Sequence, residues 1–301
     1  MLDVVALGEL FIDFTCISTD SEGYPTMAAH PGDAPANFLA ALSKFGAKTA
    51  LLGKVGTDAF GKMLTATLNN VGIETRGLVA ANDVFTTLAF VTLDETGNRE
   101  FSLSRKTGAD TCLTYEELDL SLIDEAKVFH LGTLPITDEP ARSTTYKVVD
   151  YAKGKGKLIT YDPNLRKPLW KNLDTAKEQL IWGLTKADVV KISDKEVEFL
   201  FGLGVEDGAD GCYFKNAVAS GMVPSLRDIK VIDTTGAGDI FGGSAVWKLL
   251  QLGASLEALT EAELRDVVRF ACTSAGLSTA KAGGISSVPD YQQVMERQSQ
   301  A

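Results

Sequence analysis

An α/β fold, with a mostly parallel sheet covered by helices on both faces and a small β subdomain attached, is predicted by three features of this 301-residue chain. Short apolar runs alternate with segments of helical spacing, 45% of the residues are apolar, and two intervals rich in Thr, Phe and Val break the alternation. Val4 to Leu7 reads as a buried first strand, Ala34 to Phe45 as a helix and Thr49 to Leu52 as the next strand. The pattern repeats with strands at 128–131, 158–161 and 189–192 and helices at 141–153 and 175–184. Helical spacing returns at 239–250 and 261–281, where Leu264, Val267, Val268 and Phe270 are core candidates. The interruptions, about 11–30 and 77–103, include a hairpin signal, Asp94-Glu-Thr-Gly97, between two alternating runs. They predict a β lid within a single domain spanning 1–301, with ligands at the carboxyl ends of the parallel strands. An edge hairpin without a lid role is the alternative.

Composition narrows the function. A formal net charge of −11 argues against nucleic acid or anionic membrane as a general partner, because both bind basic surfaces. Cys16, Cys112, Cys212 and Cys272 lack metal-ligand spacing and read as free thiols. With neither a leader pattern nor a membrane-length apolar run, a cytoplasmic location is expected. His30 and His130, the only histidines, are too few for a histidine-based metal site and are expected in core or loop.

The segment Val231-Ile-Asp-Thr-Thr-Gly-Ala-Gly-Asp-Ile-Phe-Gly-Gly243 joins a tight glycine turn, a helix start near Asp239 and a carboxylate. Gly236, Ala237 and Gly238 leave room for backbone N–H groups to converge on one anion at the positive end of that helix. Asp239 is placed to accept the proton of a hydroxyl attacking a phosphate. Close packing of helix on strand is the ordinary explanation of such a turn. A second segment, Pro31-Gly-Asp-Ala-Pro-Ala-Asn37, offers Gly32 as a turn and Asp33 and Asn37 as hydrogen-bonding groups for a polyhydroxylated ligand, although N-capping and turn formation at the helix start is the ordinary role of such residues.

Residues 233 to 241 match the C-terminal signature of the PfkB carbohydrate kinases, and the chain resembles that family over nearly its whole length. The resemblance implies a ribokinase-like three-layer α/β/α sandwich with a β lid, and transfer of a phosphoryl group from ATP, with Mg2+, to a sugar hydroxyl. It implies Asp239 as base and Gly236 to Gly238 as anion hole. On the sugar side it implies Asp13, Gly32, Asp33 and Asn37, although Asp33 stands where the family more often has a second Gly. Arg105, in Phe101-Ser-Leu-Ser-Arg105, resembles a sugar-facing residue of fructokinases, which favours fructose as acceptor. Ribose, 2-keto-3-deoxygluconate, a nucleoside or a sugar phosphate are the alternatives, as is a non-catalytic sugar- or nucleotide-binding regulator.

The nucleotide side is implied at Asn164 and Arg166 of Asp162-Pro-Asn-Leu-Arg166, at Glu196 (holding Mg2+ through water), Thr235, Ala275 and Gly283. Ala275 belongs to a run of small residues that lets a flat base lie against a helix, or simply packs that helix. Asp233, Thr235 and Ser287 are implied as surroundings for K+. A homodimer through the lid is a further expectation. One departure stands out. Where the family continues past Glu-x-x-Leu-x-Gly with a helix, a strand and a glycine turn, this chain passes from Glu198 through 201–210 to Cys212-Tyr-Phe214. About one αβ unit is absent, which predicts unpaired strand edges or an altered sheet at that place.

Overall fold

The computed structural model describes residues 1–93, 99–204 and 211–300. Seven strands form one parallel sheet in the order β11-β10-β9-β1-β4-β5, with β6 also on β4. They are β1 (Val4–Leu7), β4 (Thr49–Gly56), β5 (Ile73–Glu74), β6 (Leu78–Ala81), β9 (Val128–Leu131), β10 (Leu158–Tyr161) and β11 (Val189–Val190). Central β1 is unbroken Val-Val-Ala-Leu because both its faces are covered. Val4 and Ala6 enter the core beneath α1 (Ala34–Lys44), α2 (Ala59–Asn70), α7 (Ala237–Leu252) and α8 (Glu261–Ser278). Val5 and Leu7 enter the opposite core with Phe129, Ile159 and α4 (Ala141–Gly154). This is the three-layer sandwich expected from the alternation.

A second, four-stranded sheet has the order β3-β2-β7-β8, from β2 (Phe11–Thr19), β3 (Pro25–Gly32), β7 (Leu88–Leu93) and β8 (Arg99–Ser104). β2 pairs antiparallel with β3 and parallel with β7, and β7 pairs antiparallel with β8. It is the lid, but smaller than the expected intervals. Residues 78–81 join the main sheet at Gly53↔Leu78, because Gly77 closes onto β4 and accepts a hydrogen bond from the Gly53 N–H. The hairpin turn read at 94–97 lies outside the described residues.

The short region has a structural counterpart. Among the described residues nothing pairs with the outer edge of β11, and β12 (Gly211–Lys215) with β13 (Ser220–Pro224) forms a separate antiparallel ribbon. Residues 205–210 themselves are outside the described set. The ribbon packs instead on α8, through Phe214, Val223 and Val268.

Helices α1 and α7 cross tightly. A Cβ at Gly243 would lie 2.3 Å from the Phe38 carbonyl oxygen and 3.0 Å from the Ala41 Cβ, so only glycine permits this approach. Gly243→Ala is therefore expected to destabilise the protein by roughly 1–3 kcal/mol, as overpacking of a filled core does, measured as a lowered urea midpoint at unchanged slope.

Candidate active site

The carboxyl end of the main sheet and the inner face of the lid enclose a cavity of about 330 Å³. Asp13, His30, Gly32 and Asp33 line it from the lid side, with Asn37, Arg166, Asp233, Gly236, Asp239 and Gly283 opposite. Asn37 and Asp239 each sit in the first turn of a helix, and the α1–α7 crossing brings those turns together, so that Asn37 Nδ2 donates to Asp239 Oδ2 at 3.0 Å. Two glycines make room for this amide. A Cβ on Gly284 would lie 2.2 Å from Asn37 Oδ1, and one on Gly236 would lie 3.0 Å from Asn37 Nδ2. Gly236 also adopts φ 73°, the left-handed conformation that starts α7, two residues earlier than expected.

That turn is an anion hole in waiting. Ala237 N–H reaches the Thr234 carbonyl at 3.3 Å, while the N–H groups of Gly236, Gly238 and Asp239 meet no acceptor among the described residues. Three open donors at the positive end of a sixteen-residue helix suit a phosphate. Beside them stands Lys191, just past β11, which the sequence reading missed. A Cβ on Gly238 would lie 3.0 Å from its Nζ, and Nζ donates to Asp162 Oδ2 at 2.9 Å. Burial works against the Lys191 charge, yet Asp162 and Asp239 outweigh it and raise the ammonium pKa. Its position at the carboxyl end of a strand was the available signal.

The carboxylates are strongly perturbed. Burial pushes Asp239 above the usual range, with Asp33 adding to the rise and Lys191, Asn37 and Arg166 opposing it. A raised pKa makes this aspartate a better proton acceptor than one that is simply ionised at a helix start. Asp13 is pushed up to about 6 by burial against the pull of Arg166, and Asp162 to about 6 by burial against Lys191. Asp33 occupies φ 132°, ψ 175°, backbone territory that costs a non-glycine residue on the order of 1–3 kcal/mol. It keeps the shape of the glycine usual there while adding a carboxyl to the pocket. Asn164, at φ 43°, has a buried Nδ2 without a partner, an orphan donor near the strand ends.

Other expected residues lie elsewhere. Arg105 does not line the cavity: it is buried behind it, with Nε donating to Asp110 at 2.7 Å, Nη1 to Thr137 and Nη2 to the Leu134 carbonyl. A guanidinium whose three nitrogens are all engaged inside the wall braces the lid return and is turned away from the cavity. Ala275 lies on α8 outside the cavity, and at the next residue a Cβ on Gly276 would lie 3.0 Å from Leu226 Cβ, so helix packing accounts for the small run. Of the histidines, His130 is a core residue, stacked on Phe38 and held neutral by burial at a pKa of about 3. His30, expected in core or loop, lines the cavity from β3.

Among the described residues no three His, Cys, Asp or Glu side chains converge to hold a metal ion. Glu196 caps α6 (Asp194–Phe201): Oε2 accepts from Ser193 N–H at 2.8 Å and Oε1 from Leu165 N–H at 2.7 Å. Both oxygens are thus already engaged by backbone donors. Asp233 accepts from Thr235 N–H and Oγ1 and from Gly283 N–H, tying the glycine turn to the closing loop, where Ser287 Oγ donates to the Gly284 carbonyl.

A buried carboxylate beside open backbone N–H donors at a helix start, in one cavity under a β lid, suits phosphoryl transfer, and the chain belongs to the pfkB family of carbohydrate kinases, whose model matches residues 1–207 and 203–291. It is 39% identical to fructokinase-2 of Solanum lycopersicum, over 95% of this chain and 93% of that one, and 37% identical to fructokinase-1 of Zea mays, over 97% and 96%. The tomato alignment runs over 309 positions, more than this chain's 301 residues, so gaps in this chain are built into it, and the family match itself divides at 203–207. In structure the chain is similar to a fructokinase with bound ATP from Xylella fastidiosa (TM-score 0.91, 27% identity, covering 100% and 99%). It is also similar to the Vibrio cholerae enzyme bound to fructose, ADP and calcium (0.84, 26%, 98% of each chain). No helix among the described residues is long and apolar enough to cross a membrane.

Because the Asn37 amide lowers the Asp239 pKa that burial raises, Asn37→Ala is expected to move the acid limb of the kcat–pH profile to higher pH, alongside a lower maximum.

Proposed function

We propose that this carbohydrate kinase transfers the γ-phosphoryl group of ATP to fructose, giving fructose 6-phosphate and ADP. The observation carrying the proposal is the meeting of Asp239 with the open N–H groups of Gly236 and Gly238, opposite a pocket wall of Asp13, Asp33 and Asn37. The fructose hydroxyl oxygen attacks the γ-phosphorus, the bond to the β-phosphate oxygen breaks, and the hydroxyl proton passes to Asp239. Gly236, Ala237 and Gly238 face the charge that builds on the transferring group, with Lys191 and Arg166 as the nearby cations. Asn164 adds a donor on the same side. Magnesium would accompany the nucleotide and screen its phosphate charge, with Glu196 the residue implied to hold it through water.

The acceptor side favours a neutral sugar. Two carboxylates, Asp13 and Asp33, face it, while Arg105 is spent on Asp110, which weighs against sugar phosphates and keto acids. The lid surface exposes Ile17 and Tyr24, which supports a homodimer through the lid, and the reaction is assigned to the cytoplasm. A potassium ion between the 233–235 turn and the 283–287 loop would be bound by backbone carbonyls. Its effect reads as a higher rate in KCl than in NaCl of equal ionic strength.

A coupled ADP-release assay across fructose, ribose, 2-keto-3-deoxygluconate, a nucleoside and fructose 6-phosphate tests the acceptor; turnover is expected with fructose above the rest. Asp239→Asn should fold and bind ligands yet lose roughly 10²–10⁴ in kcat, and near-normal turnover would remove Asp239 from the mechanism.

A further inference from the structure

Glu9 follows β1, the central strand, and is 1% exposed at the foot of α1. Its Oε2 is buried without a hydrogen-bond donor, and so is Oδ2 of Asp33. Two adjacent buried carboxyls, each with one oxygen lacking a donor, are satisfied together by a single proton between them. Glu9 is the member that keeps it: it lies deepest, and the nearby Arg105 is already paired with Asp110. Asp33 is the acceptor, since it is also reached by the Ala34 N–H and faces Arg166, with Asp13 and Asp239 as the other charges around it.

We propose that Glu9 is a protonated positioning residue, whose carboxyl donates a hydrogen bond to Asp33 and fixes the Asp33 carboxylate in the wall of the acceptor pocket. The effect on acceptor binding rests on the sugar-kinase reading; the shared proton does not. The folded protein retains a proton that the unfolded chain releases near pH 4–5, so the pair's stabilisation is complete below that range and is lost as pH rises toward the raised value in the fold. One retained proton costs tenfold in the folding constant per pH unit over that window. Glu9→Gln supplies a permanent N–H to Asp33 and removes this dependence, and Asp33→Asn removes it from the other member of the pair.

Thermal midpoints of the ligand-free wild type, Glu9→Gln and Asp33→Asn, taken from pH 5 to 8, provide the test. The wild-type midpoint should fall relative to both variants as pH rises, and parallel curves overturn the proposal whatever the protein phosphorylates. In the ADP-release assay at pH 7, Glu9→Ala should raise the KM for fructose about tenfold with a smaller change in kcat, and Glu9→Gln should restore it. A KM that is unmoved by Glu9→Ala, or as poor in Glu9→Gln, overturns the positioning role. Absence of wild-type turnover with any acceptor defeats the fructokinase reading alone, because the midpoint comparison uses no ligand.

Discussion

The site depends on the close approach of two helix starts. Asn37 begins α1, Asp239 begins α7, and the hydrogen bond between them at 3.0 Å exists only because the helices behind them cross at glycine distance. Gly243 sets the crossing, and Gly236 and Gly284 leave space for the amide. A rigid crossing then does what a loop would do poorly: it holds the Asp239 carboxylate and the Asn37 amide at a fixed separation. Their separation of 202 positions in sequence is bridged by packing, not by local structure.

Charge is distributed along the same line. The chain is strongly acidic overall, yet the two cations lining or adjoining the phosphate side, Arg166 and Lys191, are set at the carboxyl ends of strands, next to open N–H donors. Burial raises Asp13, Asp33 and Asp239, and Arg166 opposes the rise at all three, joined at Asp239 by Lys191 and Asn37.

Local pattern made the sheet and the glycine turn legible. Val4 to Leu7, Val128 to Leu131 and Leu158 to Tyr161 were readable to the residue because strands buried on both faces are near-continuous apolar runs, broken here only by His130 and Thr160. Asp239, Asn37 and Asp33 were legible as motif residues. Glu9 and Lys191 were not, since each is a lone charge after a short strand and gains meaning only from what lies opposite across the fold. Arg105 failed for the converse reason: its partner Asp110, five residues on, captures it before the pocket can, and no spacing rule distinguishes a guanidinium facing in from one facing back. Residues 78–81 look like lid in composition, and only the backbone bond from Gly53 to Gly77 assigns them to the main sheet.

The described residues after 205–210 do not rejoin the main sheet. A ribbon deprived of a neighbouring strand must find other support, and β12–β13 finds it on α8: Phe214 and Val223 pack on Val268, Arg265 lies 5.6 Å over the Phe214 ring, and its Nη1 donates to the Met222 carbonyl. Those contacts are made by side chains and one guanidinium, not by a ladder, so the ribbon can keep its shape without the main sheet. On the other side β11 needs only two ladder residues, because Lys191 is fixed by Asp162 and Ser193 by the Glu196 cap. Lys191 and Glu196 are thus held by strand ends and helix caps that do not pass through 205–210, and the glycine turn at 236–238 is tied instead to the closing loop through Asp233 and Gly283.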